Sequence, residues 1–180
     1  MARLDLVPIY ATEWRGLLDR LGGVLEQQLP FTVEFRAPWF DPEISFDAQR
    51  GQYNSTALLR LLLDTPNDGA ARVLGVASVD LCTSILTYVF GEAQLGGKAA
   101  VVSLHRLRSD VYGLPGDEEL LFQRLLKETV HELGHTFGLV HCPDSTCVMY
   151  RSTYVEEIDF KPATYCAECQ DSVASALSGR

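Results

Sequence analysis

The chain has 180 residues, of which 47% are hydrophobic and 22% charged, and this length and composition predict one soluble globular domain that needs no disulfides to fold. The formal net charge of -9 at pH 7 argues against nucleic-acid binding, since no basic stripe is available to neutralise phosphates. The first ten residues are too short and too mixed for a signal-peptide core, and no apolar run is long enough to cross a bilayer, so we expect a cytoplasmic protein.

Hydrophobic periodicity predicts alternating strands and helices in the first half of the chain, which is typical of an α/β protein. A first helix is predicted to begin near Thr12 and to stop at Pro30, and a second covers residues 53–63. A turn signal follows at residues 65–69. The predicted strands cover residues 4–10, 31–35, 73–81, 88–95 and 99–104.

The second half of the chain carries the longest predicted helix, which runs from about Asp117 to Leu139. Beyond His141 the sequence is typical of a loop, with one further helix predicted from Ala167 to Leu177. We therefore predict one domain over the whole chain. It has an N-terminal part, residues 1–138, that holds the long helix, and a small C-terminal part, residues 139–180.

Three of the four histidines lie in one short segment that fits the pattern H-E-x-x-H-x-x-G-x-x-H. The spacing of His131 and His135 places both imidazoles on one face of the helix, where they can reach a single ion. Gly138 allows a positive φ angle that would end the helix sharply. The chain can then turn back and deliver His141 as a third ligand, with Glu132 beside the ion.

This pattern predicts a zinc-dependent peptidase. Three neutral imidazoles leave Zn²⁺ with its full charge and an open coordination position, and such an ion lowers the pKa of a bound water from about 15.7 to about 7. Glu132 would act as general base while that water attacks a peptide carbonyl. The alternative is a non-catalytic zinc-stabilised module that binds a partner, and the presence of Glu132 argues against it because a purely structural ion needs no base.

Four of the five cysteines form a second set of metal-ligand types. Cys142 and Cys147 are five positions apart, and Cys166 and Cys169 are three apart, so the two pairs can together hold one tetrahedral Zn²⁺. Four thiolates leave no open position, which indicates a structural site. The alternative, a redox pair at Cys166 and Cys169, lacks the usual βαβ setting and leaves the other two cysteines unexplained.

The histidine motif, the four cysteines and Met149 together resemble the archaemetzincin family of metalloproteases. The resemblance implies a metzincin-like α/β fold (of α+β character) with a twisted five-stranded mixed sheet, a backing helix, the active-site helix and a small C-terminal part clamped by zinc. It also implies two zinc ions per chain, one catalytic and one structural, and a methionine turn at Met149. The ligands it implies are His131, His135 and His141 for the first ion and Cys142, Cys147, Cys166 and Cys169 for the second.

The expected substrate is a peptide or a flexible protein segment. In such folds an extended substrate pairs with an exposed strand above the zinc, although this strand could also simply complete the sheet. The predicted substrate-binding residues are Phe90, Gly91, Glu92 and Ala93. An aminopeptidase would need an acidic group near the cleft, and the sequence leaves that choice open between Glu128, Asp80 and Glu156.

Overall fold

The computed structural model describes residues 1–64 and 69–178, so the predicted turn at residues 65–69 falls almost wholly outside the described residues. The strands are β1 Ala2–Ile9, β2 Phe31–Phe35, β3 Phe46–Asp47, β4 Gln52–Asn54, β5 Arg72–Ala77, β6 Leu81–Cys82, β7 Gly91–Ala93 and β8 Ala99–Ser103. The α-helices are α1 Arg15–Gln28, α2 Ser55–Leu63, α3 Glu118–Thr136, α4 Val155–Phe160 and α5 Ala167–Ser178.

The main sheet has five strands in the order β2-β1-β5-β8-β7. The first four strands are parallel to their neighbours, and β7 pairs antiparallel with β8. The predicted five-stranded mixed sheet is therefore confirmed. Because β7 stands at the end of this order, one of its edges pairs with no other strand of the described residues.

Helices cover both faces of this sheet, as expected for a largely parallel sheet. In β1, Leu4 and Leu6 belong to the larger apolar cluster, which also contains the buried faces of α1 and α3. Val7 and Ile9 belong to a smaller cluster with α2 on the opposite face. Within residues 1–64 and 69–178, no helix is both long and apolar enough to cross a membrane.

Two predicted strands are longer in the sequence pattern than in the structure. The prediction over 73–81 divides into β5 and the two-residue β6, because Ser78 donates to the carbonyls of Ile9 and Tyr10 and leaves the sheet. The prediction over 88–95 shrinks to β7, since Gln94 closes a turn by accepting from Gly97. The three-stranded sheet β3-β4-β6 and helix α4 were not predicted.

Helix α3 begins at the predicted place and ends three residues earlier than predicted. The Asp117 side chain caps it by accepting from the Leu120 N–H at 2.9 Å. Gly138 has φ +93°, a left-handed conformation that ends the helix and favours glycine. One apolar face of this helix and of the residue that follows it is buried, and it consists of Phe122, Leu126, Val130, Leu133 and Phe137.

Candidate functional site

Three imidazoles converge where α3 ends. His131 and His135 come from successive turns of α3 and are buried and half-buried, while His141 is exposed and comes from the segment after Gly138. Their ring centroids are 4.8–5.3 Å apart. The left-handed turn at Gly138 brings the third ring back over the other two.

The spacing of the ring nitrogens fits one shared metal ion. The Nε2 atoms of His131 and His135 lie 3.2 Å apart, and one ring nitrogen from each of the three histidines lies within 4.8 Å of the others. Two nitrogens bound tetrahedrally to zinc at about 2.0–2.1 Å are about 3.3–3.4 Å apart. Two lone pairs that face one another this closely repel unless a cation lies between them, so the donor set suits a bound metal.

Backbone carbonyls fix the tautomers of the two helical histidines. His131 Nδ1 lies 2.8 Å from the Val148 carbonyl oxygen and His135 Nδ1 lies 2.7 Å from that of Leu139. A carbonyl only accepts, so each Nδ1 carries the proton and each Nε2 offers a lone pair. Burial lowers the pKa of His131 to about 3 and also lowers the pKa values of His135 and His141. At neutral pH all three rings are therefore neutral, as metal ligation requires.

The Glu132 carboxylate is enclosed between α3 and the edge strand. A Cβ built at Gly91 would lie 2.7 Å from Glu132 Cγ and 2.8 Å from the Val101 carbonyl oxygen, so a glycine is needed at this position for the strand to approach the helix. Burial raises the pKa of Glu132 well above its usual range, and the negative charge of Glu128 raises it further. Glu132 thus has a high affinity for a proton next to the imidazole cluster.

Met149 packs against α3 at Gly134, the residue before the second helical histidine. It is fully buried, and its Sδ would lie 2.4 Å from a Cβ at Gly134. The Met149 carbonyl accepts from the Cys142 N–H at 3.0 Å, and the preceding carbonyl of Val148 accepts from His131. The segment 147–149 therefore holds His131 through the Val148 carbonyl and joins the imidazole cluster to the first cysteine.

The four predicted cysteine ligands also form one group. Their sulfur atoms all lie within 4.8 Å of one another, and all are free thiols. Cys142 Sγ and Cys166 Sγ are 3.9 Å apart, whereas two sulfurs bound tetrahedrally to zinc at about 2.3 Å are about 3.8 Å apart. The Cys166 N–H donates to Cys147 Sγ at 3.3 Å. This arrangement fits a closed, structural zinc site.

A cavity of about 950 Å³ opens over the imidazole cluster. One wall is the chain that leads into and out of β7, and a second wall is the segment 151–154 that follows Met149. The Tyr88 hydroxyl donates to the Thr153 carbonyl at 2.9 Å and so links the two walls. The apolar side chains at the other end, Leu95 and Val140, are exposed.

A buried ion pair lies beside the imidazole cluster and was not predicted. Lys161 Nζ lies 2.9 Å from Glu128 Oε1, with both side chains almost completely shielded from solvent, at an angle that does not suit a hydrogen bond. The ammonium also donates to the Tyr150 carbonyl at 3.3 Å. The pair connects α3 to the segment after α4, and the Lys161 charge adds to the lowering of the His131 pKa.

We expect Lys161→Met to lower the free energy of unfolding by about 3–5 kcal/mol, because it leaves the Glu128 carboxylate buried without a partner. The double variant Lys161→Met/Glu128→Gln should recover most of this loss, since no uncompensated charge remains. Urea unfolding measures both effects. Lys98→Met, at an exposed lysine, is the control, and an equal loss in the single and double variants would contradict a role for charge compensation.

Sequence reasoning missed the groups that act on the site from a distance. The carbonyls of Val148 and Leu139 carry no sequence signal, because every residue has one. The close approach of β7 had only Gly91 as a signal. Glu128 was one of three acidic residues considered for an aminopeptidase. Its partner Lys161 is 33 positions further along the chain, so no local pattern joins the two.

Three imidazoles converge at the end of an H-E-x-x-H helix, beside the edge of a mixed sheet. Together with the matches to known proteins, this site defines the chain as a zinc metallopeptidase of the metzincin type. It belongs to peptidase family M54, whose sequence model matches residues 28–175.

Relatives and solved structures agree with this assignment. The archaemetzincin of Thermococcus kodakarensis is 47% identical over 162 residues, which are 87% of this chain and 78% of that protein. That of Methanocaldococcus jannaschii is 45% identical over 71% of this chain and 69% of its own length. The crystal structure of archaemetzincin from Methanopyrus kandleri is 37% identical and superposes with a TM-score of 0.87, covering 98% of this chain and 96% of that one.

A second crystal structure, of archaemetzincin from Archaeoglobus fulgidus complexed with malonate, is 35% identical with a TM-score of 0.81. It covers 94% of this chain and 99% of the other. Both solved structures therefore extend over almost the whole chain, including the residues before position 28 that lie outside the match to the family model.

Proposed function

We propose that this metallopeptidase holds its catalytic zinc at His131, His135 and His141 and uses Glu132 as general base. The observation that carries the proposal is the convergence of three neutral imidazoles, with one ring nitrogen of each within 4.8 Å of the others. The Glu132 carboxylate is the acidic group enclosed next to them, between α3 and Gly91. Its position beside the imidazoles in the lining of the cavity suits proton transfer.

Zinc bound by the three rings supplies a Lewis acid that polarises a peptide carbonyl and makes a water molecule more acidic. The residues around it then have separate tasks. Glu132 accepts a proton at its carboxylate as water attacks and passes it to the nitrogen of the leaving amine. The carbonyls of Val148 and Leu139 hold two imidazoles in a fixed tautomer and orientation.

The four cysteines hold a second, structural zinc ion in this proposal. Their sulfurs form a closed group with no side chain left to give way to a substrate. Because the Cys142 N–H donates to the Met149 carbonyl, the site also holds the segment that carries the third imidazole. Free thiols of this kind persist in a reducing compartment, so we place the protein in the cytoplasm.

An extended peptide pairs with the free edge of β7. Phe90 is less suited to this task than the sequence indicated, because its side chain is buried and its carbonyl accepts from the Ser103 N–H. The alternation of an antiparallel ladder turns the N–H and C=O groups of Gly91 and Ala93 away from β8. These two residues therefore offer the backbone groups for the substrate, and the Glu92 side chain points to the far face, where it accepts from Thr56.

Metal analysis and chelation test the proposal. We expect two zinc ions per chain. Peptide cleavage should be lost when a chelator removes the ion from the open site formed by the three histidines. Added zinc should restore it. The four-thiolate site should release its ion more slowly because all its positions are filled. A peptide library supplies the substrates, and a His135→Ala protein should contain one ion and be inactive. Cleavage that survives complete removal of metal would contradict the assignment.

A further inference from the structure

The cavity over the imidazole cluster contains one basic side chain that the proposed mechanism does not use. Among the described residues that line the cavity, Arg151 is the sole lysine or arginine, and it is exposed. No carboxylate of residues 1–64 and 69–178 forms an ion pair with it. In a protein with a net charge of -9, an unpaired cation in the cleft is a distinctive feature.

The nearby acidic group does not neutralise Arg151 directly. Glu157 is close enough for the arginine charge to contribute to its lowered pKa, but the backbone N–H groups of Tyr154 and Thr153 contribute more. Those two N–H groups bind the Glu157 carboxylate at 3.0 and 2.5 Å. Arg151 therefore keeps its five N–H donors for another partner.

A second polar group on the same wall also lacks a partner. The Ser152 hydroxyl oxygen is shielded from solvent and makes no hydrogen bond within the described residues. A shielded hydroxyl without a partner costs free energy unless a ligand satisfies it. Arg151 and Ser152 are adjacent and both line the cavity, so the wall offers a cation and a hydroxyl donor to whatever binds there.

The position of this wall relative to β7 indicates which part of the substrate it meets. The hydrogen bond from Tyr88 to Thr153 places the wall at the end of the cavity where the chain enters β7. A peptide that pairs antiparallel with β7 has its carboxyl end on that side. The side that carries Arg151 thus meets the residues after the cleaved bond.

We propose that Arg151 is a specificity residue that binds a carboxylate on the carboxyl-terminal side of the cleaved peptide bond. The inference rests on the proposed function, since it uses the same cleft and edge strand. The carboxylate has two sources, a free chain terminus or an Asp or Glu side chain, which present the same planar group to the guanidinium. The first source would make the protein a carboxypeptidase that cleaves close to the chain terminus. The second would make it an endopeptidase that prefers an acidic residue after the cleaved bond.

Matched peptides separate the two sources. One peptide carries a glutamate after the cleaved bond and an amidated end, a second carries glutamine there and a free carboxylate, and a third carries glutamine and an amidated end. We expect kcat/KM to be roughly tenfold higher for one of the two peptides with a carboxylate than for the third peptide, which has none. This is the effect of one charge-assisted interaction at an exposed site. In the Arg151→Gln protein this ratio should fall close to one.

Three controls show whether the effect is specific to the charge of Arg151. Arg60→Gln removes an exposed arginine on α2, outside the cavity, and should keep the wild-type ratio. Arg151→Lys keeps the charge and should retain part of the preference, whereas zinc content and thermal melting show that each variant is folded. An Arg151→Gln protein with the wild-type ratio, or a wild-type protein without any preference for a carboxylate, would overturn the inference.

Peptide binding measures the role of Arg151 separately from the role of Glu132. The same peptides are therefore titrated by fluorescence anisotropy against the Glu132→Gln protein and against Glu132→Gln/Arg151→Gln. Roughly tenfold weaker binding of the carboxylate peptide to the double variant supports Arg151 whether or not Glu132 is the base. Equal binding to both proteins counts against Arg151, and cleavage by the single variant counts against Glu132 alone.

Discussion

A Glu132→Gln protein is expected to keep its zinc and to cleave peptides with a kcat lower by about 10²–10⁴-fold. Glutamine keeps the shape of the side chain between α3 and Gly91 but cannot accept a proton. The imidazoles do not depend on this carboxylate, because His131 and His135 are held by backbone carbonyls. Steady-state kinetics with a quenched fluorescent peptide and metal analysis of the same sample measure the two properties.

The control for this change is Glu118→Gln, an exposed glutamate in the first turn of the same helix. It removes the same charge from α3 at the end far from the cavity, so kcat should stay close to the wild-type value. A loss of zinc from Glu132→Gln would mean that the carboxylate helps to hold the metal. Cleavage within about twofold of wild type, far from the range for general-base catalysis, would remove Glu132 from the mechanism.

A Cys147→Ser protein is expected to lose one of two zinc ions and to unfold at a temperature lower by roughly 8–16 °C. Zinc at a thousandfold its Kd stabilises the folded state by about 4 kcal/mol, and a domain of this size loses about 2–4 °C per kcal/mol. Cys147 is fully buried and accepts from the Cys166 N–H, so a serine there removes a ligand from the centre of the group. Peptide cleavage should also fall, because the segment that carries His141 loses its anchor.

Thermal melts with and without a chelator check this prediction. The chelator should lower the melting temperature of the wild-type protein and change that of Cys147→Ser much less. Cys82→Ala provides the matched control, since Cys82 is also buried but lies in β6, away from the four-cysteine group. If the control melts as low as Cys147→Ser, the loss reflects a disturbed core rather than a missing metal.

The parts of the site that could be predicted follow from local geometry. His131 and His135 are one helical turn apart, and Gly138 supplies the turn that returns the chain to them. The two cysteine pairs are also short-range patterns, so their types and spacings indicated a shared site. The resemblance supplied the five-stranded sheet, which the alternation of strands and helices alone does not specify.

The rest depends on contacts between distant segments. Lys161 lies beside Glu128 only because the chain after α4 packs on α3. The pattern over 88–95 predicted a strand, but the residues whose backbone groups face outward are decided by the register of Gly91 with Val102. Short elements such as β6 and α4 have too few residues for periodicity to reveal them.

The position of β1 has a consequence for how the protein is made. Although β1 is formed near the start of the chain, it lies between β2 and β5, and its register pairs Leu4 with Arg72. The ribosome adds about 5–20 residues per second, so this apolar strand waits roughly 3–14 s for its second neighbour. During that time β2 and α1, and later α2, are the described elements of this stretch that can cover it. Nascent chains of this protein are therefore exposed to aggregation and to chaperone binding until residue 77 has left the exit tunnel.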